Sequence, residues 1–338
     1  MAQKDYLDKL IELFTPEIAA AFRLAISDIT NTAILKAVTT AIELGDPLAA
    51  FRALGYSDAA MRPLTAALER TFEAGGIGTG ETFPKRLYTP QGATVFRFDI
   101  RNSRAEKWIR ELSGTFITLI ENDAMVAVRN VMFDGLAAGR NPRSTALDMI
   151  GRYNPVTKMR EGGVIGLNVQ QERAVANMRL DLENLDTRYF TRKLRDKRFD
   201  GTIKKLFNEG KVSVADVNRL TGRYKDNLLR LRGETIARDG AMEALNRSEW
   251  EAIKQAEDMG AVKDVKRHWD SAGPDGRTRD DHLAMDAKPP VGMNEAFTFP
   301  DGTQAMYPQD RSLNAPAEQV VNCRCRSRTE IDWLKDLS

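Results

Sequence analysis

A chain of 338 residues, 42% hydrophobic and 29% charged with a net charge of +2, has apolar material for about two domains and excludes global disorder. Two cysteines in that length exclude a disulfide framework, and no run approaches the roughly 18 apolar residues of a bilayer span. The first ten residues carry charge without an apolar segment, so no secretion signal is expected, and reduced thiols and cytosolic folding are.

Residues 1–80 read as an N-terminal helical segment. Thr15 before Pro16 gives a helix start, a capping hydroxyl followed by proline at the first helical position, and Ile18, Phe22, Ile26 and Ile29 follow at helical spacing. Gly45-Asp46-Pro47 stops one helix and starts another, and Ser57 caps a third whose window holds Pro63. EAGGIGTGE, residues 73–81, predicts a flexible break; its Gly76-x-Gly78-x-Gly80 lacks the last glycine of a dinucleotide loop and follows no strand.

Residues 81–165 continue the body with a strand and helices. TVFRFDI, residues 94–100, alternates Phe96, Phe98 and Ile100 with Val95, Arg97 and Asp99, the pattern of a strand. Helices are expected from Ser103, again after Gly114, and over NPRSTALDMIGRYN, with REGGVIG as a turn. Residues 166–260 form a basic helical region. Asn168 caps VQQERAVANMRLDLENL, and further helices fit DTRYFTRKLRDKRF, the run from SVADV to EALNR, and SEWEAIKQAEDMG. Residues 261–338 differ: VKDVKRHW is strand-like, and Pro, Gly, Asp and Asn become frequent. The expected fold is mainly α, with long helices in the middle and a small, loop-rich C-terminal α+β module.

Near-neutral net charge conceals a local excess. Arg188 to Arg232 holds 14 Lys and Arg against 5 Asp and Glu, an excess of nine, which leaves the rest of the chain at −7. Such a stretch is either a solvated helical face or a surface for phosphate or an acidic protein. In the second case Arg192, Lys193, Arg195, Lys197, Arg198, Lys204 and Lys205 are the candidate DNA or partner contacts.

The rare chemistry lies in the tail, which holds both histidines, His268 and His282, and both cysteines, in VNCRC at residues 321–325. Two thiols and two imidazoles equal a tetrahedral zinc set in number, yet paired zinc cysteines ordinarily have two to four residues between them and here there is one. A thiol nucleophile with either histidine as base lacks a surrounding signature. The favoured reading is structural: both thiols on one face of an extended segment with Arg324 on the other, and DGRTRDDH forming a clamp in which Arg277 and Arg279 pair with Asp280, Asp281 or Asp286. Phosphate-loop, HExxH and GxSxG patterns are absent, and Glu249-x-Glu251, which an ADP-ribosyltransferase would want, falls in a helical window.

Together these elements resemble a known family. Ile236-Ala237-Arg238 on a helix, Trp269 on a strand, Asp275-Gly276-Arg277-Thr278-Arg279 with His282, and closing Asn322-Cys323-Arg324-Cys325 are similar, in order and spacing over roughly residues 230–330, to the phage Mu F-like minor head proteins, a family that includes the head morphogenesis protein of a Bacillus siphophage. The resemblance implies a non-enzymatic structural virion protein, bound to the portal protein and active in capsid assembly, DNA packaging or delivery. Its implied partners are the portal, scaffold or major capsid protein, and packaged DNA through non-specific contacts, with no membrane and no cofactor. Its implied place is the capsid near the portal vertex, after assembly in the host cytoplasm. The family run IARTE is replaced by Ile236-Ala237-Arg238-Asp239-Gly240, an expected change on a helix surface that bears on a partner contact. His268 is not a position the family fixes, which leaves His282, Cys323 and Cys325 as the metal candidates. The rival readings are a metal-dependent hydrolase or nuclease using His282 with Asp280, Asp281 or Asp286, and a DNA-binding packaging factor outside the virion.

Overall fold

The computed structural model describes residues 3–334, and they are mainly α with a small sheet-bearing C-terminal part. Helix α1 spans Gln3–Thr32 and runs straight through Thr15-Pro16, so this pair does not start a helix. Leu7, Leu10 and Phe14 are buried ahead of the proline as Ile18, Phe22, Ile26 and Ile29 are after it. Burial of that continuous stripe, about 1.5–3 kcal/mol per large side chain, outweighs the roughly 3 kcal/mol cost of an internal proline. Helix α2 (Leu35–Glu43) ends at Gly45, whose φ of +68° needs no Cβ, and α3 (Pro47–Arg52) begins with Asp46 accepting from Ala49 N at 2.9 Å. Among the described residues no single helix is long and apolar enough to cross a membrane, although Tyr6–Thr32 and α2 pass that test together as a bent pair.

Helix α4 (Asp58–Glu81) begins after Ser57 as expected, but it continues through EAGGIGTGE, which is helix and not a break. The glycines serve close approach. A Cβ at Gly78 would overlap the Tyr6 ring, one at Gly76 the Phe98 ring and one at Gly80 the Phe96 ring. Tyr6 also donates to Ala74 O at 2.8 Å. Each helical glycine costs about 1 kcal/mol, and seating three aromatic rings offsets that.

TVFRFDI is likewise not a strand beyond its first residue. Strand β1 (Leu87–Thr89) pairs only with β2 (Gly92–Thr94), and the chain after Thr94 has no strand neighbour. The alternation is real, because Phe96 and Phe98 turn to Phe83 and Phe72 at ring separations of 4.8 and 5.6 Å. The backbone is satisfied by a side chain instead: Asp99 N donates to Gln255 Oε1 and Gln255 Nε2 to Asp99 O, both at 2.9 Å.

Helix α5 (Ser103–Ala137) is continuous across Gly114, and Asn141 caps α6 (Pro142–Ile150). A hairpin of β3 (Arg152–Asn154) and β4 (Met159–Glu161) follows, and then α7 (Val169–Glu183), which opens with a full capping box between Asn168 and Gln171. DTRYFTRKLRDKRF is not one helix. It makes two 3-10 turns, Thr187–Thr191 and Lys197–Phe199, ahead of α8 (Asp200–Asn208). Asp186 and Asp196 each bind a backbone N–H two residues on, at 2.8 and 3.2 Å, which favours turns over a continuous helix. The two helices expected before residue 260 are one, α9 (Val214–Asp258), of 45 residues.

The chain folds into two compact units that cut across the four consecutive sequence blocks. One comprises Met1–Ile18, Thr65–Ser113 and Thr235–Ser338, the other Ala19–Leu64 and Gly114–Glu234. The division falls inside α1, α4, α5 and α9; a helix of 45 residues is about 68 Å long, more than one small domain can hold.

In the first unit, β5 (Val262–Asp270) pairs antiparallel with β8 (Arg326–Trp333), Trp269 opposite Ser327 and Asp270 opposite Arg326. Between them in sequence come α10 (Asp280–Met285), the short ladder of β6 (Phe297–Thr298) with β7 (Gln304–Ala305), and α11 (Ala317–Val320). Val265, Arg267 and Trp269 form the buried face of β5. Val265 and Trp269 belong to two different cores, one around Trp250, Ile253, Val265, Met293 and Tyr307, the other around Trp269, Met285, Phe297, Phe299, Cys323 and Cys325.

Candidate functional site

The family-like residues of the tail converge. Asp275, ahead of α10, accepts both arms of the Arg324 guanidinium, each at 2.8 Å, and Arg324 also donates to Thr278 Oγ1 at 3.2 Å. The Arg277 and Thr278 backbone N–H groups bond Asp275 Oδ1 at 3.0 and 3.1 Å. This fork, led by Arg324, holds the Asp275 carboxyl well below the usual carboxylate range. Arg279 donates to Val321 O at 2.6 Å and so ties the start of α10 to the residue before Asn322.

The expected clamp is thus rearranged. Arg277 is exposed and reaches only Asp275, at 3.3 Å, while the arginine that clamps is Arg324 from the other motif. Asp280 is exposed, Asp281 accepts from Gln319 Nε2 at 3.1 Å, and Asp286 accepts from Ser271 N and Oγ at 2.7 and 2.6 Å. The three carboxylates expected to pair with Arg277 and Arg279 have other partners or face solvent.

Behind this fork lie the thiols. Asn322 takes a left-handed φ of +57°, which asparagine tolerates, and turns the chain inward. Cys323 and Cys325 are buried with Arg324 outward, the expected alternation, although β8 begins only at Arg326. His282, 1% exposed, places Nδ1 3.2 Å from Cys325 Sγ and 3.5 Å from Cys323 Sγ. Its Nε2 lies 2.9 Å from Gln319 Oε1. The Gln319 amide nitrogen donates to Asp281 and to Asp301, the latter at 2.9 Å, so its oxygen must face the ring and His282 Nε2 must carry the proton. The Nδ1 nitrogen is thereby directed at sulfur. Hydrogen bonding from Cys323, joined by His282 and opposed by burial, pulls the Cys325 thiol down, and the same bond together with burial pushes Cys323 up. The Trp269 ring stands edge-on to His282, Phe297 and Phe299 at 5.6, 5.3 and 5.0 Å. His268 is outside this group, on the opposite face of β5 and 3.3 Å from Glu330 Oε1.

Helix α9 fastens the closing motif through Asp239 and through Glu243 and Asn246, the last two passed over by the sequence reading. Asp239 Oδ1 accepts the Asn322 N–H at 2.7 Å, Asn246 Nδ2 donates to Cys325 O at 3.3 Å and to Gln309 Oε1 at 2.9 Å, and Gln309 donates to Cys323 O. Glu243 pairs with Arg311 at 3.2 Å, and burial pushes its carboxyl up to about 7. Asp239, expected on a helix surface, is buried and bonded within the unit. The spacing 239, 243, 246 is one helical face, so the signal was a polar stripe where a long helix needs a core stripe.

Arg267 was missed entirely. Its guanidinium, 1% exposed, donates to the backbone carbonyls of Gly292, Glu295 and Met306 and lies 5.1 Å over the Phe297 ring. Burial pulls it down to about 10. Glu251 is buried and takes Arg104, Arg247 and Gln255 as partners, which makes it an internal anchor.

In the second unit the basic candidates are largely paired nearby. Arg192 meets Asp181 at 2.6 Å, Arg195 meets Asp200 with two bonds of 2.8 and 2.9 Å, and Arg198 meets Asp196 at 2.6 Å. Lys204 lies 5.7 Å over the Phe190 ring and Lys205 is 3.9 Å from Glu209. Lys193 and Lys197, both exposed, line an open cleft of about 420 Å³ with Arg230 and have no carboxylate partner among the described residues.

Comparison of the chain with family models, curated proteins and solved structures returned no match.

Proposed function

We propose that this chain is a minor head protein of the phage Mu F-like kind, a portal-associated structural component of a virion that acts in capsid assembly and DNA packaging or delivery. The observation that carries this reading is the convergence of the two halves of the family-like pattern. Asp275 with Arg324, Arg279 with the Val321 carbonyl, and His282 with Cys323 and Cys325 each join a residue of the first motif to one of the second. A shared motif whose members bond chiefly to each other maintains a fold, and a fold maintained for docking has no need of an exposed nucleophile. The cleft lined by Lys193, Arg195, Lys197 and Arg230, with Glu234 as its one carboxylate, offers net positive charge for the portal or for packaged DNA.

The test is mass spectrometry of purified particles, together with co-expression of the chain and a phage portal protein from the same genome. The reading requires the chain in the particle at a few copies per portal ring, and a portal complex on size exclusion. Absence from particles, or divalent-dependent nicking of DNA by the isolated chain, would overturn it.

A further inference from the structure

We propose that His282, Cys323 and Cys325 are the ligands of a thiophilic divalent metal ion, with zinc as the species bound, which fastens the C-terminal module. The three donor atoms all lie within 4.8 Å of one another, and all three residues are buried. A tetrahedral ion with bonds of about 2.3 Å to sulfur and 2.05 Å to nitrogen holds those donors about 3.6 Å apart. The Nδ1 separations of 3.2 and 3.5 Å from the two sulfurs fall within a few tenths of that edge.

The donor chemistry selects the ion. Two sulfurs and an imidazole suit zinc and exclude magnesium and calcium, which need oxygen ligands. Charge agrees with the surroundings. Two thiolates and a neutral ring cancel a divalent ion, so the complex is neutral among Trp269, Met285, Phe297 and Phe299, where net charge would be costly. Loading forms two S–metal bonds and releases whatever protons the two sulfurs carry, with no change of oxidation state.

The outer contacts are those of a metal-bound histidine. Gln319 Oε1 accepts the hydrogen bond from Nε2–H at 2.9 Å and is itself oriented by Asp281 and Asp301, which frees Nδ1 for the ion. A thiol–imidazole hydrogen bond needs one sulfur at Nδ1, and here both sulfurs lie within 3.5 Å of it. The single residue between the cysteines is accommodated because Arg324 points outward while both sulfurs point in. Three protein ligands leave a tetrahedral ion one position.

The experiment uses the full chain purified with reductant and without chelator. Metal content is measured by inductively coupled plasma mass spectrometry, and the metal-stripped protein is then titrated with cobalt(II). The expected result is about one zinc per chain and a cobalt spectrum with thiolate charge-transfer bands of tetrahedral type. Gln319→Leu, which removes no ligand, should weaken zinc by roughly 10- to 100-fold. Cys325→Ser should abolish the charge-transfer intensity of one sulfur if the variant folds. A folded wild-type chain that carries no zinc and gives no thiolate–cobalt bands overturns the proposal without reference to any variant. The virion reading would stand in that event, since it does not depend on metal.

Discussion

Two arginines, one in residues 261–334 and one in residues 188–209, set the contrast: Arg267 is buried and bonded to groups far away in sequence, whereas Arg198 is exposed and bonded to a carboxylate two residues away. Arg267 reaches the carbonyls of Gly292, Glu295 and Met306. Arg198 reaches Asp196 and keeps a side chain 77% exposed. The same guanidinium is a structural rivet in one setting and a solvated surface group in the other. Desolvation decides which, because a buried donor has no water to replace a lost partner.

The largest effect that this contrast predicts is at Arg267. Arg267→Met keeps much of the side-chain volume but leaves three part-buried carbonyls without their donor. It should cost about 3–5 kcal/mol and expose the module to trypsin. Urea unfolding monitored by tryptophan fluorescence measures it, and a loss under about 1 kcal/mol would remove the distinction between the two regions. Next comes Glu243, whose folded value is raised to about 7 from an ordinary 4.5. Below pH 4.5 the carboxyl is protonated in both states; between 4.5 and 7 the unfolded chain ionises first, so stability falls as pH rises. The fall should be on the order of 3 kcal/mol across that window, and Glu243→Gln should flatten it. A wild-type and variant pair with parallel pH profiles would show that the burial of Glu243 carries no such linkage.

What the sequence revealed follows the same division between local and distant partners. The Asn168 capping box and the Asp46-Pro47 start were legible because each is complete within four residues. The helical glycines of α4 were not, because the rings that need the space, Tyr6, Phe96 and Phe98, come from other segments. The thiols and His282 could be picked out by rarity and by resemblance, yet the Arg324–Asp275 fork could not be told from the expected pairing of Arg277 and Arg279 with Asp280, Asp281 and Asp286. Arg267 sits in a stretch that looks solvated, and only its inward register on β5 separates it from Lys266. The local charge excess was correctly counted, but which arginines are paired, with Asp181, Asp196 and Asp200, depended on turns that replaced the expected helix.

The link from α9 to the closing motif should lie between the extremes. Asp239→Ala removes the acceptor of the Asn322 N–H, and Asn246→Leu removes the donor to Cys325 O. Each should cost about 1–3 kcal/mol, and because both act on one turn their effects should fall short of additive in a double-mutant cycle. Strict additivity would mean that Asn322 and Cys325 are held independently.

The smallest effect belongs to the basic stretch. Arg198→Ala and Lys205→Ala each remove one exposed, locally paired charge, so the thermal midpoint should not move measurably. Lys193→Glu with Lys197→Glu changes unpaired charges instead, and should leave the midpoint alone while weakening retention on DNA or on an acidic partner and lowering its salt dependence. The two pairs of variants separate the roles that a charge count merges. If the first pair weakened binding as much as the second, the whole basic face would act as one field, and the local pairing of Arg198 and Lys205 would have no bearing on what the surface recognises.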